Sequence, residues 1–302
     1  MAQALPIVDA HHHFWDIERN YHPWLCDEPM IPFRYGDYSS IRKPFMPEDY
    51  FSVSRDFNVI GNVTVEGEWD PRDPIGETRW IHEIAEEYGK PNAHVAQIWL
   101  DDDKAPETTA DQAAFPLVRS VRHKPHATKR PSHGSKPEPG GMSDPAYMRG
   151  YAVLSQYDLS FDLQTPWWHL TEALALAEKY PEIPIILNHT GLPSDRSPEG
   201  LDEWREAMRV LAEFPGASVK ISGLGLPGVP WRVDDNRPII LDTIDIFGID
   251  RCMFASNFPV DSVVADFNTI FNGYFESVKD FGEADKRKLF AENAIRIYRI
   301  KV

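Results

Sequence analysis

The run Asp9-Ala10-His11-His12-His13 carries the residue types of a metal or oxyanion site within five positions. On a strand, side chains two apart share a face, so Asp9, His11 and His13 are expected together and His12 opposite. Two imidazoles about 6–7 Å apart along such a strand can grip one divalent ion or one oxyanion. A polar strand end is the plainer reading, and the chemical one needs a partner from another strand. His189 offers it, ending the apolar run IPIILNH in Asn188-His189-Thr190-Gly191, where a strand gives way to a loop. Taken alone, His189 reads equally well as a hydrogen-bonded structural histidine.

More polar groups close other apolar runs: Glu66 and Trp69, Arg122 and His123, Asp162 and Gln164, Lys220 and Ser222. Each by itself suits a structural ion pair, but together they would line a polar pocket. Arg122 has the planar fork that holds a substrate carboxylate bidentately. Ser222 has no evident base, which speaks against a serine nucleophile, and Cys252 inside an apolar run reads as core. Cys26 and Cys252 form neither a disulfide framework nor a CxxC pair.

These residues need elements to hold them. Val- and Ile-rich runs recur at 5–15, 58–66, 93–100, 117–123, 159–164, 183–189, 217–223 and 251–257, several of them apolar throughout, as strands covered on both faces are. Between them, Ile81, Ile84, Ala85 and Tyr88, and again Trp204, Ala207, Met208 and Leu211, repeat at helical spacing. Thr165-Pro166 and Ser197-Pro198 read as an N-cap followed by a first-turn proline. Eight strand–helix units in 302 residues, with no linker and no internal repeat, predict an α/β fold, a (β/α)8 TIM barrel over 1–302. No GxGxxG follows a strand, which argues against dinucleotide binding.

The formal charge of −16 opposes nucleic-acid binding, and no apolar stretch of about 18 residues exists to cross a membrane. The opening MAQALPIVDA has no basic or apolar leader pattern, so a cytoplasmic protein is expected. Two segments break the rhythm. Residues 16–46 are rich in aromatics, with Tyr21, Trp24, Phe33, Tyr35, Tyr38 and Phe45, and are expected to close one end of the barrel; a pocket roof or a homodimer contact are the other uses. Residues 124–141 gather Lys124, Lys129, Arg130, Lys136, His126 and His133 around one acid, Glu138. Such a loop is either solvated or steers an anionic small-molecule substrate.

DAHHHFW at the start, NHTG at 188–191, VKISGL at 219–224 and FASNFPVD at 254–261 together resemble the amidohydrolase superfamily. More narrowly they resemble its lactonase-containing branch, which includes sugar-acid lactonases and a pyrone-dicarboxylate lactonase. The resemblance implies a barrel that opens a cyclic ester. His11, His13 and His189 would bind a divalent metal, zinc or manganese, or hold the substrate carbonyl directly without metal. Most of the superfamily has an aspartate base where this chain has Asn257, and a neutral amide cannot take a proton from water. Asp261, Asp9 and Glu66 are the candidate replacements; the alternative is a metal-bound water acidic enough to need no base. Hydrolysis of a lactone of a sugar acid or other carboxylate-bearing ring is therefore expected. The alternatives are a non-oxidative decarboxylase of an aromatic or unsaturated acid and a catalytically inactive ligand-binding barrel.

Overall fold

The computed structural model describes residues 5–302. Its eight strands are β1 (Ile7–His12), β2 (Val59–Val65), β3 (Ala93–Gln97), β4 (Val118–Arg122), β5 (Ser160–Leu163), β6 (Ile185–Leu187), β7 (Ala217–Ile221) and β8 (Cys252–Phe254). They pair in chain order, each parallel to the next. The ring meets itself beyond the strand ends: the Asn257 amide donates to the His11 carbonyl and the His13 amide to the Phe258 carbonyl, both at 2.7 Å. The Asp9 carboxylate ties the same seam, accepting from the Ser256 amide at 2.8 Å and hydroxyl at 2.6 Å. This is the expected (β/α)8 arrangement.

The uninterrupted apolar runs arise because both faces of each strand are covered. Inside, Val8, Ala10, Val63, Val65, Val95, Ile186 and Met253 pack together, with Ala291, Ala294, Tyr298 and Ile300 in the same cluster. Outside, Val121, Phe161, Leu187, Val219, Ile221 and Phe254 meet the helices. The helix Gly76–Tyr88 buries Ile81 and Ile84, and Pro198–Ala212 buries Trp204, Met208 and Leu211, following the predicted periodicities. Ser197 caps the second of these through a 3.1 Å hydrogen bond from the Gly200 amide. Thr165 does not cap its helix. Pro166 stays extended and a 3-10 turn, Trp167–His169, intervenes before the helix Leu170–Lys179. Among the described residues no helix is long and apolar enough to cross a membrane.

Both long insertions follow strands and so lie at the barrel's carboxyl end. The first is pinched at its base, where Trp15 and Phe45 exchange backbone hydrogen bonds of 3.2 and 2.8 Å. Inside the pinch, Tyr35, Tyr38 and Phe45 are buried, and Trp24 stacks on Phe33 with centroids 5.8 Å apart. The segment does more than close one end of the barrel: Trp24, Ile31, Pro32, Phe33 and Arg34 line the pocket there, which is the pocket-roof use that the sequence also allowed. The second, 124–141, runs without regular structure along the rim. Ion pairs from Arg130 to Asp195 and Glu203 and from His133 to Glu203 fasten it to the start of the helix Pro198–Ala212.

Candidate active site

Strict alternation along β1 would set Asp9 beside the two histidines. Pairing with β2 instead shifts register between Asp9 and His12: Asp9 opposes Asn62 and His12 opposes Thr64, three steps against two. An inserted residue of this kind resets the alternation. The Asp9 carboxylate therefore takes the Tyr50 hydroxyl (3.0 Å) and Ser256. Burial, offset by these hydrogen bonds, pushes its pKa up to about 6. The predicted shared face, and with it Asp9 as a base, is corrected.

His11 and His13 converge as expected, their Nε2 atoms 3.3 Å apart, and the His189 ring lies 4.6 Å from that of His11. Each ring is pinned through its other nitrogen. Nδ1 of His13 is 2.7 Å from the Val65 carbonyl oxygen, which can only accept, so Nδ1 carries the proton and Nε2 a lone pair. Lys220 Nζ, in a buried 2.6 Å ion pair with Asp162, lies 3.4 Å from Nδ1 of His11. An ammonium only donates, which puts the His11 proton on Nε2, facing His13. His189 Nδ1 shares a 2.8 Å hydrogen bond with Ser222 Oγ, a partner for that serine that the sequence did not disclose. Burial first, and then Lys220 for His11, Arg122 for His13 and Arg34 for His189, holds all three pKa values well below the usual histidine range. The rings are neutral at physiological pH.

The cavity above them, about 290 Å³, is lined by His13, His189, Glu66, Arg122, Gln164 and Asn257, and by Arg34 and Lys124 from the two insertions. Arg122, expected to grip a substrate carboxylate, is 3% exposed and already engaged. Its Nε donates to Glu66 Oε1 at 2.5 Å, one terminal nitrogen to the Glu66 carbonyl at 2.7 Å, the other to Gln164 at 3.1 Å and to Asn188. It organises the wall, and its fork is closed by Glu66. Burial pushes the Glu66 carboxyl up, but Arg122 and Lys124 outweigh it and hold it below the usual range. The more exposed cations on the wall are Arg34, which faces Asp261, and Lys124, paired with Glu68, with side chains 26% and 38% exposed.

Three other predicted ligand contacts are placed elsewhere. Lys220 is fully buried beneath His11. Trp69 and His123 line a neighbouring cleft, Trp69 5.2 Å from the His22 ring and His123 stacked 5.2 Å from Tyr147. Asp261 does not line the histidine cavity. The turn Val260–Val263 folds it behind Asn257, whose Nδ2 donates to it at 2.6 Å. It also accepts from Tyr35 Oη at 2.9 Å and faces Arg34 at 3.5 Å. Burial pushes its carboxyl pKa upward against these partners.

Backbone strain gathers at the same place. His189 (φ +54°) and Asn257 (φ +55°) are non-glycine residues in the left-handed region, costing about 1–3 kcal/mol each. Gly223 (φ +62°) makes room: a Cβ there would sit 2.8 Å from both the Arg34 guanidinium and the His189 ring.

A family model for amidohydrolases matches residues 8–300. The chain belongs to the amidohydrolase family. It is 34% identical over 296 residues to the uncharacterized protein y4mH of Sinorhizobium fredii, covering 98% of this chain and 99% of that one. It is 26% identical to an L-fucono-1,5-lactonase of Burkholderia ambifaria, covering 97% and 95%. An amidohydrolase from Burkholderia multivorans, crystallised with zinc, shares the fold at a TM-score of 0.79 and 22% identity, covering 98% and 99%.

Within this amidohydrolase, His11 and His13 suit a divalent ion. Nitrogens at about 2.0–2.1 Å from a tetrahedral zinc stand about 3.3–3.4 Å apart, the separation of their two Nε2 atoms. Holding one requires the His11 proton to leave Nε2. Among the described residues no set of three or more His, Cys, Asp or Glu side chains is arranged to hold a metal, so His189, expected as a third ligand, is not placed with His11 and His13 for that role. An ion held there would polarise a carbonyl or acidify a water. Arg34 and Tyr35 were missed by the sequence reading. Their signal was an arginine set among the buried aromatics of the first insertion.

Proposed function

We propose that this amidohydrolase opens a lactone, the cyclic ester of a sugar acid or of another carboxylate-bearing substrate. The observation that carries the reading is the opposed pair of neutral imidazoles. His13 lines the cavity rimmed by Arg34 and Lys124, and His11, buried behind it, sets its Nε2–H 3.3 Å from the His13 Nε2 lone pair. The L-fucono-1,5-lactonase relative of Burkholderia ambifaria supports the choice of ester.

For a substrate carbonyl oxygen to take the His11 Nε2–H, that proton must leave its 3.3 Å contact with His13; once taken, it stabilises the negative charge that grows on the oxygen. Water adds to the carbonyl carbon and gives its proton to His13 Nε2. Collapse of the tetrahedral species breaks the ring C–O bond, and that proton passes to the departing alcohol oxygen. The product acid then ionises to solvent, and its carboxylate meets Arg34 and Lys124. Asp261 keeps the Asn257 amide oriented, and Lys220 fixes the His11 tautomer; both are positioning residues.

A pH-indicator assay over 1,4- and 1,5-lactones of sugar acids, with elemental analysis and a chelator arm, tests this. Acid release is expected, with His11→Ala and His13→Ala each lowering kcat about 10²–10³-fold while melting remains cooperative. Acid release abolished by chelator and restored by zinc or manganese assigns His11 and His13 to an ion. Carbon dioxide from aromatic acids with no lactone turnover would replace the reading by decarboxylation, and binding without turnover by a ligand-binding barrel.

A further inference from the structure

A second chamber, about 330 Å³, adjoins the histidine cavity and shares Arg34 and Leu192 with it as a common wall. Its other surfaces are mostly apolar, with Trp168, Leu226 and Pro227 among them, and Arg196 stands at the side shared with a third cavity. Arg196 differs from the other enclosed arginines of the rim. Arg122 is matched by Glu66, Arg130 by Asp195 and Glu203, and Arg205 by Asp242. Among the described residues Arg196 makes no ion pair. One terminal nitrogen donates to the Leu224 carbonyl at 2.9 Å, and the buried Nε–H has no partner. Asp235 lines only the third cavity and acts on Arg196 without forming an ion pair. Burial lowers the guanidinium pKa to about 10, the response of a cation short of compensation.

An enclosed guanidinium with no counter-charge paired to it is costly unless a ligand supplies the anion. Apolar walls around one such group describe a pocket for an amphipathic acid. We infer that this chamber binds an apolar arm ending in a carboxylate, so that the substrate reaches from the histidines past Arg34 and Leu192 to Arg196. As a statement about substrate the inference rests on the proposed hydrolase reading; as a statement about binding it does not.

Titration calorimetry of the full chain with 4-phenylbutanoate and with its neutral amide tests the site without turnover. The carboxylate is expected to bind at least tenfold more tightly, Arg196→Gln to abolish that preference, and Leu226→Trp, which narrows the chamber, to weaken both probes. Equal affinity for the two probes overturns the inference. So does a preference kept in Arg196→Gln but lost in Lys124→Gln, which would move the carboxylate to the histidine cavity. Lactone turnover enters none of these readouts, so failure of the hydrolase reading and failure of this one are separable.

Discussion

The two long insertions stand at the same end of the barrel and have opposite fates. Residues 16–46 fold inward on buried aromatic surface and deliver Arg34 and Tyr35 to Asp261 and the histidines. Residues 124–141, rich in Pro, Gly and Lys, stay on the rim. Of their basic groups Arg130 and His133 are held by Asp195 and Glu203, and Lys124, paired with Glu68, lines the cavity. Apolar burial drives one loop into the site, whereas exposed ion pairs of small individual worth fasten the other. Cationic composition alone did not identify the loop that brings a guanidinium to the histidines.

The sharpest way to break this contrast is at the point of entry. Gly223→Val adds a Cβ into the Arg34 guanidinium and the His189 ring at a left-handed backbone position. It should lower kcat/KM at least 10²-fold and reduce Tm by several degrees, measured by lactone hydrolysis and calorimetry. Arg34→Met removes the delivered cation and should lower kcat/KM about 10–100-fold with little change in melting. An unchanged rate would leave the inward loop as packing alone. Tyr35→Phe leaves Asp261 short of one donor and should cost about 1–2 kcal/mol in denaturant unfolding, with a smaller loss of rate.

The rim loop should respond weakly. Arg130→Gln breaks partly exposed pairs and should cost less than about 1 kcal/mol, leaving kcat/KM and its dependence on ionic strength unchanged. A loss of salt dependence would revive steering by this loop. Its latch should also yield to acid. Backbone donation from Ser197 and then Arg130 hold the Asp195 pKa down to about 2, below the usual value of 3.8, and Arg130 lowers that of Glu203. A depressed carboxylate stabilises above its unfolded pKa and loses that contribution as pH falls through the folded one. Pepsin cleavage within 124–141 should therefore rise between about pH 4 and pH 2, ahead of cleavage in 16–46.

The sequence by itself determined the strands, several helix faces and the three histidines. Apolar runs and two- or three-residue periodicities are local, and a histidine at the end of a strand is placed by its own neighbours. Tertiary structure decided what those neighbours could not. One register shift on β1 turned Asp9 away from His11 and His13. Arg122, legible as a strand-end guanidinium, was closed by Glu66, 56 residues away. Asp261 was turned behind Asn257 and bonded to Tyr35 across 226 residues. A charged side chain's task depends on which opposite charge reaches it first. In a closed barrel that is settled by strand register and loop packing, which bring together groups whose separation in the chain carries no signal of their contact.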